Sequence, residues 1–248
     1  MPTGIEARWR VWVPMLLVAI TALASSATSL GNGFAYDDVH AIQDNERLHS
    51  LSNPGHFFTE TYWPPGKFTG GSTLYRPVTS LAFALQWAAG QGEPRLFHAV
   101  NVALYIGLCL VMLWLASLVL PPLAALGAGV LYAAHPVHVE AVGNTVGQGE
   151  LWVNLFCLLA VGIFLRSRDE AGLASSRRLV IYLLFALACL TKDNGLMLPG
   201  LLLAAELTVV HAPRPLSVRL RTLLGFWVLL AAVALLYLVL RTRVTGSL

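Results

Sequence analysis

The stretch HAVNVALYIGLCLVMLWLASLV, residues 98 to 119, decides the fold class of this chain. It is long and apolar enough to cross a membrane as a helix, because a span needs roughly 20 apolar residues to cross about 30 Å of hydrocarbon. The whole chain agrees: of 248 residues, 56% are hydrophobic and 12% are charged, and the mean hydropathy is +0.67. The alternating strand patterns of a membrane barrel are absent. The sequence therefore predicts an all-α polytopic membrane protein, with residues 1–248 forming a single membrane domain.

Seven spans are predicted, and arginine placement orients them. The spans lie near residues 11–30, 98–119, 123–140, 142–165, 179–191, 196–210 and 222–240. The arginines before the first span, after the fourth and before the seventh fall on one side, which is then cytoplasmic. They are Arg8, Arg10, Arg166, Arg168, Arg177, Arg178, Arg214, Arg219 and Arg221. We therefore expect a cytoplasmic N-terminus in a bacterial inner membrane or the endoplasmic reticulum, with Arg241 and Arg243 on the unexpected side.

The loop from about residue 31 to 97 is then the first extracytoplasmic loop. Its aromatic segments, His56 to Phe58 and Tyr62 to Pro65, and the run from Val78 to Ala89 are too short to cross. Trp and Tyr favour the membrane surface, so amphipathic helices lying in the interface are predicted. The first span also resembles a secretory signal ending at Ala24 to Ala27, and cleavage there would still leave this loop outside.

Composition also excludes several functions. The formal charge of +3 comes from arginines on cytoplasmic loops, so no nucleic-acid partner is expected. Cys109, Cys157 and Cys189 lie inside predicted spans without metal-binding spacing, which argues against disulfides and a zinc site.

Ionisable residues gather at the extracytoplasmic ends of the spans. Such groups are functional candidates by default, because a charge at mid-bilayer costs about 2.5 to 3.5 kcal/mol on insertion scales. Their mixture of acids, cations and imidazoles suits phosphate recognition beside acid–base catalysis. The candidates are Asp37, Asp38, Arg76, His98, His135, His138, Glu140, Glu150, Lys192 and Asp193.

Each candidate also has a purely structural interpretation. The two adjacent acids can begin a solvated loop or cap a helix, and Arg76 can extend toward the membrane surface. His98 and Asn101 can bond between helices, and Lys192 with Asp193 can be a local ion pair. Glu206 can pair with a neighbouring helix or face a cavity. The three residues His135, His138 and Glu140 resemble a metal cluster only loosely, because Pro136 marks a helix irregularity between them.

Five motifs in order resemble a known family. They are Tyr36-Asp37-Asp38 with Ile42 and Asn45, Tyr75-Arg76-Pro77, Phe97-His98 with Asn101, His135-Pro136-Val137-His138-Val139-Glu140-Ala141-Val142, and Lys192-Asp193 followed by Pro199. This order resembles the transmembrane O-mannosyltransferases that carry tetratricopeptide repeats, relatives of the protein O-mannosyltransferases with the C-type glycosyltransferase fold. The resemblance covers roughly residues 30 to 206.

The resemblance implies an enzyme that moves a hexose, mannose in this family, from a polyprenyl-phosphate carrier to a protein hydroxyl outside the cytoplasm. The family's acid maps onto Asp37 or Asp38, which would deprotonate the acceptor as it attacks with inversion. Arg76 and Lys192, helped by His98 or His138, would stabilise the departing phosphate, with His135, Glu140, Glu150 and Asp193 in support. A divalent cation stays an open alternative, although this residue set needs none.

The sequence also departs from the family. It has Gly147-Gln148-Gly149-Glu150 where a Gly-Arg pair is common, and Lys192-Asp193 in place of Lys-Glu. The family's further helices and repeat array are lacking, so a truncated product, or a core that acts with a partner subunit or a repeat domain in trans, is a further expectation. A non-catalytic subunit that binds the lipid-linked sugar is the main alternative. A transporter is the third, although its usual paired repeats are not found.

Overall fold

The computed structural model describes residues 4–64, 73–168, 172–210 and 215–246, with side chains from Trp12 onward. Arg8, Arg10, Pro65 and Arg214, which entered the sequence predictions, therefore lie outside the described side chains. Helices dominate these ranges, which confirms the all-α prediction. The α-helices are α1 Gly4–Ser26, α2 Pro77–Gly90, α3 Pro94–Ser117, α4 Pro122–Ala134, α5 Val139–Gly143, α6 Gln148–Ser167, α7 Ser175–Thr191, α8 Leu198–Thr208, α9 Leu216–Thr222 and α10 Leu224–Thr245.

Four segments in the described part of the chain are long and apolar enough to cross a membrane. They are Trp12–Gly31, Pro94–Ser117, Thr145–Ser167 and Leu224–Thr245. These correspond to the first, second, fourth and seventh predicted spans. Only 22% of the first segment and 17% of the last segment are buried inside the protein. Large apolar side chains exposed on such helices are expected where lipid replaces water.

The third predicted span, 123–140, is shorter in the structure because a proline interrupts it. A residue before proline avoids helical geometry, and His135 is extended, with φ −73° and ψ 127°, directly before Pro136. Short helical turns at Pro136–His138 and Thr145–Gly147 flank α5, and α6 begins at Gln148. Helix α4 is thus about 20 Å long at 1.5 Å per residue. The predicted fifth span, 179–191, lies within the longer helix α7, and the predicted sixth span, 196–210, is the shorter helix α8.

Side-chain contacts define two ends of the bundle. The Ser25 hydroxyl donates to the Ala133 carbonyl at 2.8 Å, so α1 and α4 finish side by side. Arg241 Nε, near the end of α10, lies 3.6 Å from Asp193 Oδ1, just after α7. This contact places Arg241 beside the candidate site residue Asp193. We call the end of the bundle that carries Ser25, Ala133, Asp193 and Arg241 the acid end.

An ion cluster lies at the opposite end, which we call the arginine end. Glu206 near the end of α8 is fully buried and contacts Arg168 Nε at 3.1 Å and Arg219 Nε at 2.9 Å. Arg219 also donates to the Glu206 carbonyl. The two arginines come from the segments that follow α6 and precede α10. The predicted pairing of Glu206 with neighbouring segments is therefore confirmed.

Three apolar cores hold the helices together. One joins α6, α7, α8 and α10 around Phe164, Phe185 and Phe226. A second joins α1, α3, α4 and α6 around Val18 and Leu108. The third joins the first loop to α2 and the start of α3 and is described next.

The first loop folds into a cap on the acid end. Its short turns Val39–Gln43, Glu46–Leu48 and Pro54–Phe58 pack on α2 and the start of α3. The core that they share is built on the following residues: Ala41, Ile42, Leu48, Phe57, Tyr62, Phe83, Ala84 and Phe97. Because this cap is anchored by buried aromatic rings, it can hold polar side chains in fixed positions.

Candidate active site

The two adjacent acids have different environments. Asp38 is 1% exposed, whereas Asp37 is exposed to solvent. Asp38 Oδ1 accepts the Val146 N–H at 2.8 Å, and its Oδ2 accepts the N–H groups of Thr145 at 3.2 Å and Ala35 at 3.4 Å. Asp38 therefore ties the cap to the turn before α6. Asp37 keeps its carboxylate accessible.

Backbone geometry accompanies this difference. Tyr36, directly before the acids, has a left-handed φ of 50° and a side chain that is 90% exposed. A non-glycine residue in this region is uncommon and is held there by its surroundings. The Asp38 N–H bonds back to the Ala35 carbonyl at 3.0 Å, closing the turn around Tyr36. The acid pair therefore stands on a fixed turn.

Burial and polar contacts have opposing effects on the pKa of Asp38. Burial raises the pKa of Asp38, while the backbone bonds from Val146, Thr145 and Ala35 and the nearby His98 act in the opposite direction. His98 is fully buried, and its Nε2 lies 3.5 Å from Thr145 Oγ1. The structure thus brings the predicted site residues Asp38 and His98 together.

Arg76 directly precedes α2. Its guanidinium carbon is 5.0 Å from the centroid of the Tyr62 ring, in a cation–π arrangement. Within the described part of the chain it has no carboxylate at ion-pair distance, and its buried Nε has no hydrogen-bond partner. Arg76 is therefore a cation available to an anionic ligand.

Two other cations at the acid end, Lys192 and Arg241, lie beside carboxylates. Lys192 contacts Glu150, and Asn194 Nδ2 lies 3.5 Å from the same carboxylate. Asp193 accepts a hydrogen bond from Tyr237 and has Arg241 beside it. The predicted residues Glu150, Lys192 and Asp193 thus form one polar cluster. Because these cations are paired with carboxylates, Arg76 is more readily available to bind an anionic ligand than they are.

Hydrogen bonds connect this cluster to the segment that carries Arg76. Thr79 Oγ1 on α2 donates to the Thr191 carbonyl at 2.8 Å, one residue before Lys192. Arg241 Nη2 donates to the Thr73 carbonyl at 3.3 Å, three residues before Arg76. The start of α2 and the ends of α7 and α10 therefore meet at the acid end.

A buried amide network supports the site from below. Gln148 Nε2 donates to Asn101 Oδ1 at 2.8 Å, and Gln86 Nε2 donates to Gln148 Oε1 at 2.7 Å. Asn101 Nδ2 in turn donates to the Asn144 carbonyl at 3.0 Å. The predicted bonding between helices is thus found at Asn101. Gln148, at the position where the resemblance leads one to expect an arginine, is fully buried in this network.

The histidines after α4 lie in a different part of the acid end. His135 and His138 line a cavity of about 270 Å³ with Ser25, Asn32 and Tyr105, and none of Asp37, Asp38, Arg76 and Lys192 lines it. Burial, followed by the nearby His135, lowers the pKa of His138. Glu140 is exposed to solvent. Among the residues that the structure describes, no group of three or more His, Cys, Asp or Glu side chains is arranged to hold a metal ion.

Sequence reasoning missed two members of the acid end. Tyr62 was interpreted only as an interfacial aromatic residue, although the Arg76 guanidinium lies over its ring. Arg241 was counted as an arginine on the unexpected side of the membrane. Its departure from the predicted charge distribution was itself the signal, since an arginine at the end of an apolar helix favours a local partner.

Comparison with curated proteins gives relatives over most of this chain. Protein O-mannosyl-transferase TMTC3 of Homo sapiens is 31% identical over 74% of the chain, and TMTC4 of Homo sapiens is 30% identical over 79%. Tmtc3 of Drosophila melanogaster is 29% identical over 81%. The resemblance predicted from the motifs is therefore confirmed. No family model and no solved structure matches the chain.

The similarity covers only a part of those relatives. The chain spans 20% of human TMTC3, 29% of human TMTC4 and 25% of the Drosophila protein. The chain thus corresponds to only a part of each of these longer proteins, and that part is consistent with a membrane module.

Proposed function

Because its homologues are protein O-mannosyl-transferases of the TMTC family, we propose that this chain is a glycosyltransferase module of a membrane protein. It transfers a hexose, in the first instance mannose, from a polyprenyl-phosphate carrier to a protein hydroxyl. In this proposal the acid end faces the extracytoplasmic side and the arginine end faces the cytoplasm, in keeping with the positive-inside rule. The lipid-linked sugar is the donor, and an Asp base with Arg and Lys on the phosphate needs no divalent cation.

Asp37 is the general base in this mechanism. Its exposed carboxylate takes the proton of the acceptor hydroxyl while the hydroxyl oxygen bonds to the anomeric carbon. The bond from that carbon to the carrier phosphate oxygen breaks on the opposite face, so the configuration inverts. The observation that carries this assignment is the contrast in exposure, because Asp38 is buried and its oxygens are occupied by backbone N–H groups.

Arg76 stabilises the departing polyprenyl phosphate. Its guanidinium has a permanent charge, and it has no carboxylate partner among the described residues, so a phosphate oxygen can complete its hydrogen bonds. Lys192 reaches the phosphate when it exchanges Glu150 for the ligand. His98 supports the base indirectly, through the electrostatic contact with Asp38. His138 lines the neighbouring cavity, where it can contact another part of the donor.

A transfer assay tests this function. The purified chain in lipid nanodiscs receives labelled polyprenyl-phosphate mannose, or the glucose analogue, with a peptide rich in Ser and Thr. We expect labelled peptide from the wild type and a loss of at least tenfold in Arg76→Met. Arg95→Met, which removes an exposed arginine at the start of α3, is the matched control and should keep the wild-type rate.

Binding without transfer would support a second function. The pairing of Lys192 with Glu150 and the burial of Gln148 leave fewer free cations than the sequence alone predicts. A module that holds the lipid-linked sugar for a partner subunit needs Arg76 but not Asp37. Saturable donor binding with no labelled peptide, unchanged by Asp37→Asn, would favour that function over catalysis.

A further inference from the structure

The Tyr62 hydroxyl is buried at the acid end, and among the residues that the structure describes its O–H group has no acceptor. The residue is 4% exposed, and its Oη is among the buried polar atoms that have no partner in the structure. Nearly all buried polar groups in proteins are satisfied, so an isolated one calls for a ligand or another explanation. A tyrosine hydroxyl that served only packing would be better replaced by phenylalanine.

The position of this hydroxyl is fixed by the fold. The Tyr62 N–H donates to the Leu74 carbonyl at 2.8 Å, which pairs its backbone with the segment leading to Arg76. Its ring packs edge-on against Trp63, with 5.1 Å between the ring centroids, and belongs to the cap core. Tyr62 therefore cannot relieve its unsatisfied hydroxyl by a simple rotation into solvent.

A second unsatisfied donor lies beside it. Arg76 covers the Tyr62 ring, and the buried Arg76 Nε also lacks an acceptor. Asp38 does not supply one, because its oxygens accept the N–H groups of Val146, Thr145 and Ala35. Two buried donors without an acceptor, one of them permanently charged, are complementary to an anionic oxygen.

The hydroxyl also stays protonated. Burial raises the pKa of Tyr62, and the charges of Asp38 and Asp37 add to that increase, while the charge of Arg76 and the contact of its guanidinium with the phenol oxygen oppose it. These influences also show that Tyr62 lies within electrostatic reach of both acids and of Arg76. A neutral phenol at this place can donate a hydrogen bond over the whole physiological pH range.

We propose that Tyr62 Oη and Arg76 Nε together form the binding site for the phosphate of a polyprenyl-phosphate ligand. The Tyr62 hydroxyl donates to one phosphate oxygen and Arg76 to another. This inference rests on the proposed function for the identity of the ligand and adds Tyr62 as a residue that contacts it. It also explains why a tyrosine is kept in an apolar core without a protein partner.

The test compares Tyr62→Phe with Tyr75→Phe. Both variants remove a single hydroxyl from a buried tyrosine, but the Tyr75 hydroxyl donates to the Phe58 carbonyl at 3.0 Å and serves the fold. Binding is measured with a short-chain polyprenyl phosphate that carries no sugar, and with the corresponding polyprenol as the probe without phosphate. Thermal unfolding of each ligand-free variant is recorded alongside.

We expect Tyr62→Phe to weaken polyprenyl-phosphate binding about tenfold, equal to about 1.4 kcal/mol, and to leave polyprenol binding unchanged. Its melting temperature should equal or exceed that of the wild type, since an unsatisfied hydroxyl is removed. Tyr75→Phe should melt lower and bind the phosphate as the wild type does. If Tyr62 had a purely structural role, Tyr62→Phe would melt below the wild type and would bind polyprenyl phosphate as the wild type does.

The outcomes separate this inference from the proposed function. Wild-type transfer that Tyr62→Phe retains, with unchanged phosphate affinity, overturns the role of Tyr62 and leaves the transferase intact. Phosphate binding that depends on Tyr62, without any sugar transfer, supports the site and overturns the transferase. If the wild type binds no polyprenyl phosphate at all, both proposals fall.

Discussion

Replacing Asp38 by asparagine should destabilise the protein even though no charge is exposed at that position. Asparagine keeps one accepting oxygen and places an NH₂ group where the other oxygen stood. At least one of the three backbone N–H groups, from Ala35, Thr145 or Val146, then loses its acceptor. A buried donor left unsatisfied costs about 1 to 3 kcal/mol.

The expected change can be measured as a melting temperature. For a chain of this size, about 1 kcal/mol corresponds to roughly 2 to 4 °C, so a loss of about 2 kcal/mol lowers the melting temperature by about 4 to 8 °C. Asp37→Asn is the matched control, because substitutions of exposed side chains usually change stability by less than about 0.5 kcal/mol. Hydrogen exchange locates the effect: the Thr145 and Val146 amides should lose protection in Asp38→Asn alone.

Two results would refute this reasoning. One is an Asp38→Asn variant that melts with the wild type and keeps both amides protected, since the carboxylate would then not hold the turn before α6. The other is an equal loss of stability in Asp37→Asn, which would mean that both acids are structural.

Two further predictions concern the packing of the bundle. Glu206→Gln removes the charge of the fully buried carboxylate that Arg168 and Arg219 contact at the arginine end, so thermal unfolding should show a destabilisation of about 3 to 5 kcal/mol; an unchanged melting temperature would mean that solvent already screens these charges. Gly195→Ala places a methyl group 2.4 Å from the backbone of α7 and should cost about 1 to 3 kcal/mol in the same assay. Gly200→Ala, where nothing lies within 4 Å, is its control and should not be destabilised.

The long helices were predictable because composition alone specifies them. Apolar runs such as 98–119 and 222–240 are longer than the core of a soluble protein requires. The structure therefore differs from the prediction only in where these helices begin and end. The third span was harder to predict, since Pro136 was recognised as an irregularity but its effect on His135 depends on local backbone geometry. The structure ends that helix at Ala134.

The chemistry of the site was less predictable. Sequence identified Asp37 and Asp38 as a pair, but neighbouring residues on an irregular turn differ in burial only through contacts with α3 and α6. The role of Tyr62 depends on a cap core formed by residues far apart in the chain, which no local pattern encodes. Arg241, by contrast, was visible in the sequence as an arginine that the topology did not explain.

The central claim is that Asp37 is the base for sugar transfer at the acid end. The most direct measurement is a single-turnover transfer rate at saturating polyprenyl-phosphate mannose, compared between the wild type and Asp37→Asn, with donor affinity measured on the same samples. The account predicts a rate that falls by about 10² to 10⁴ while donor affinity changes less than about twofold. An Asp37→Asn variant that transfers sugar at the wild-type rate would contradict it.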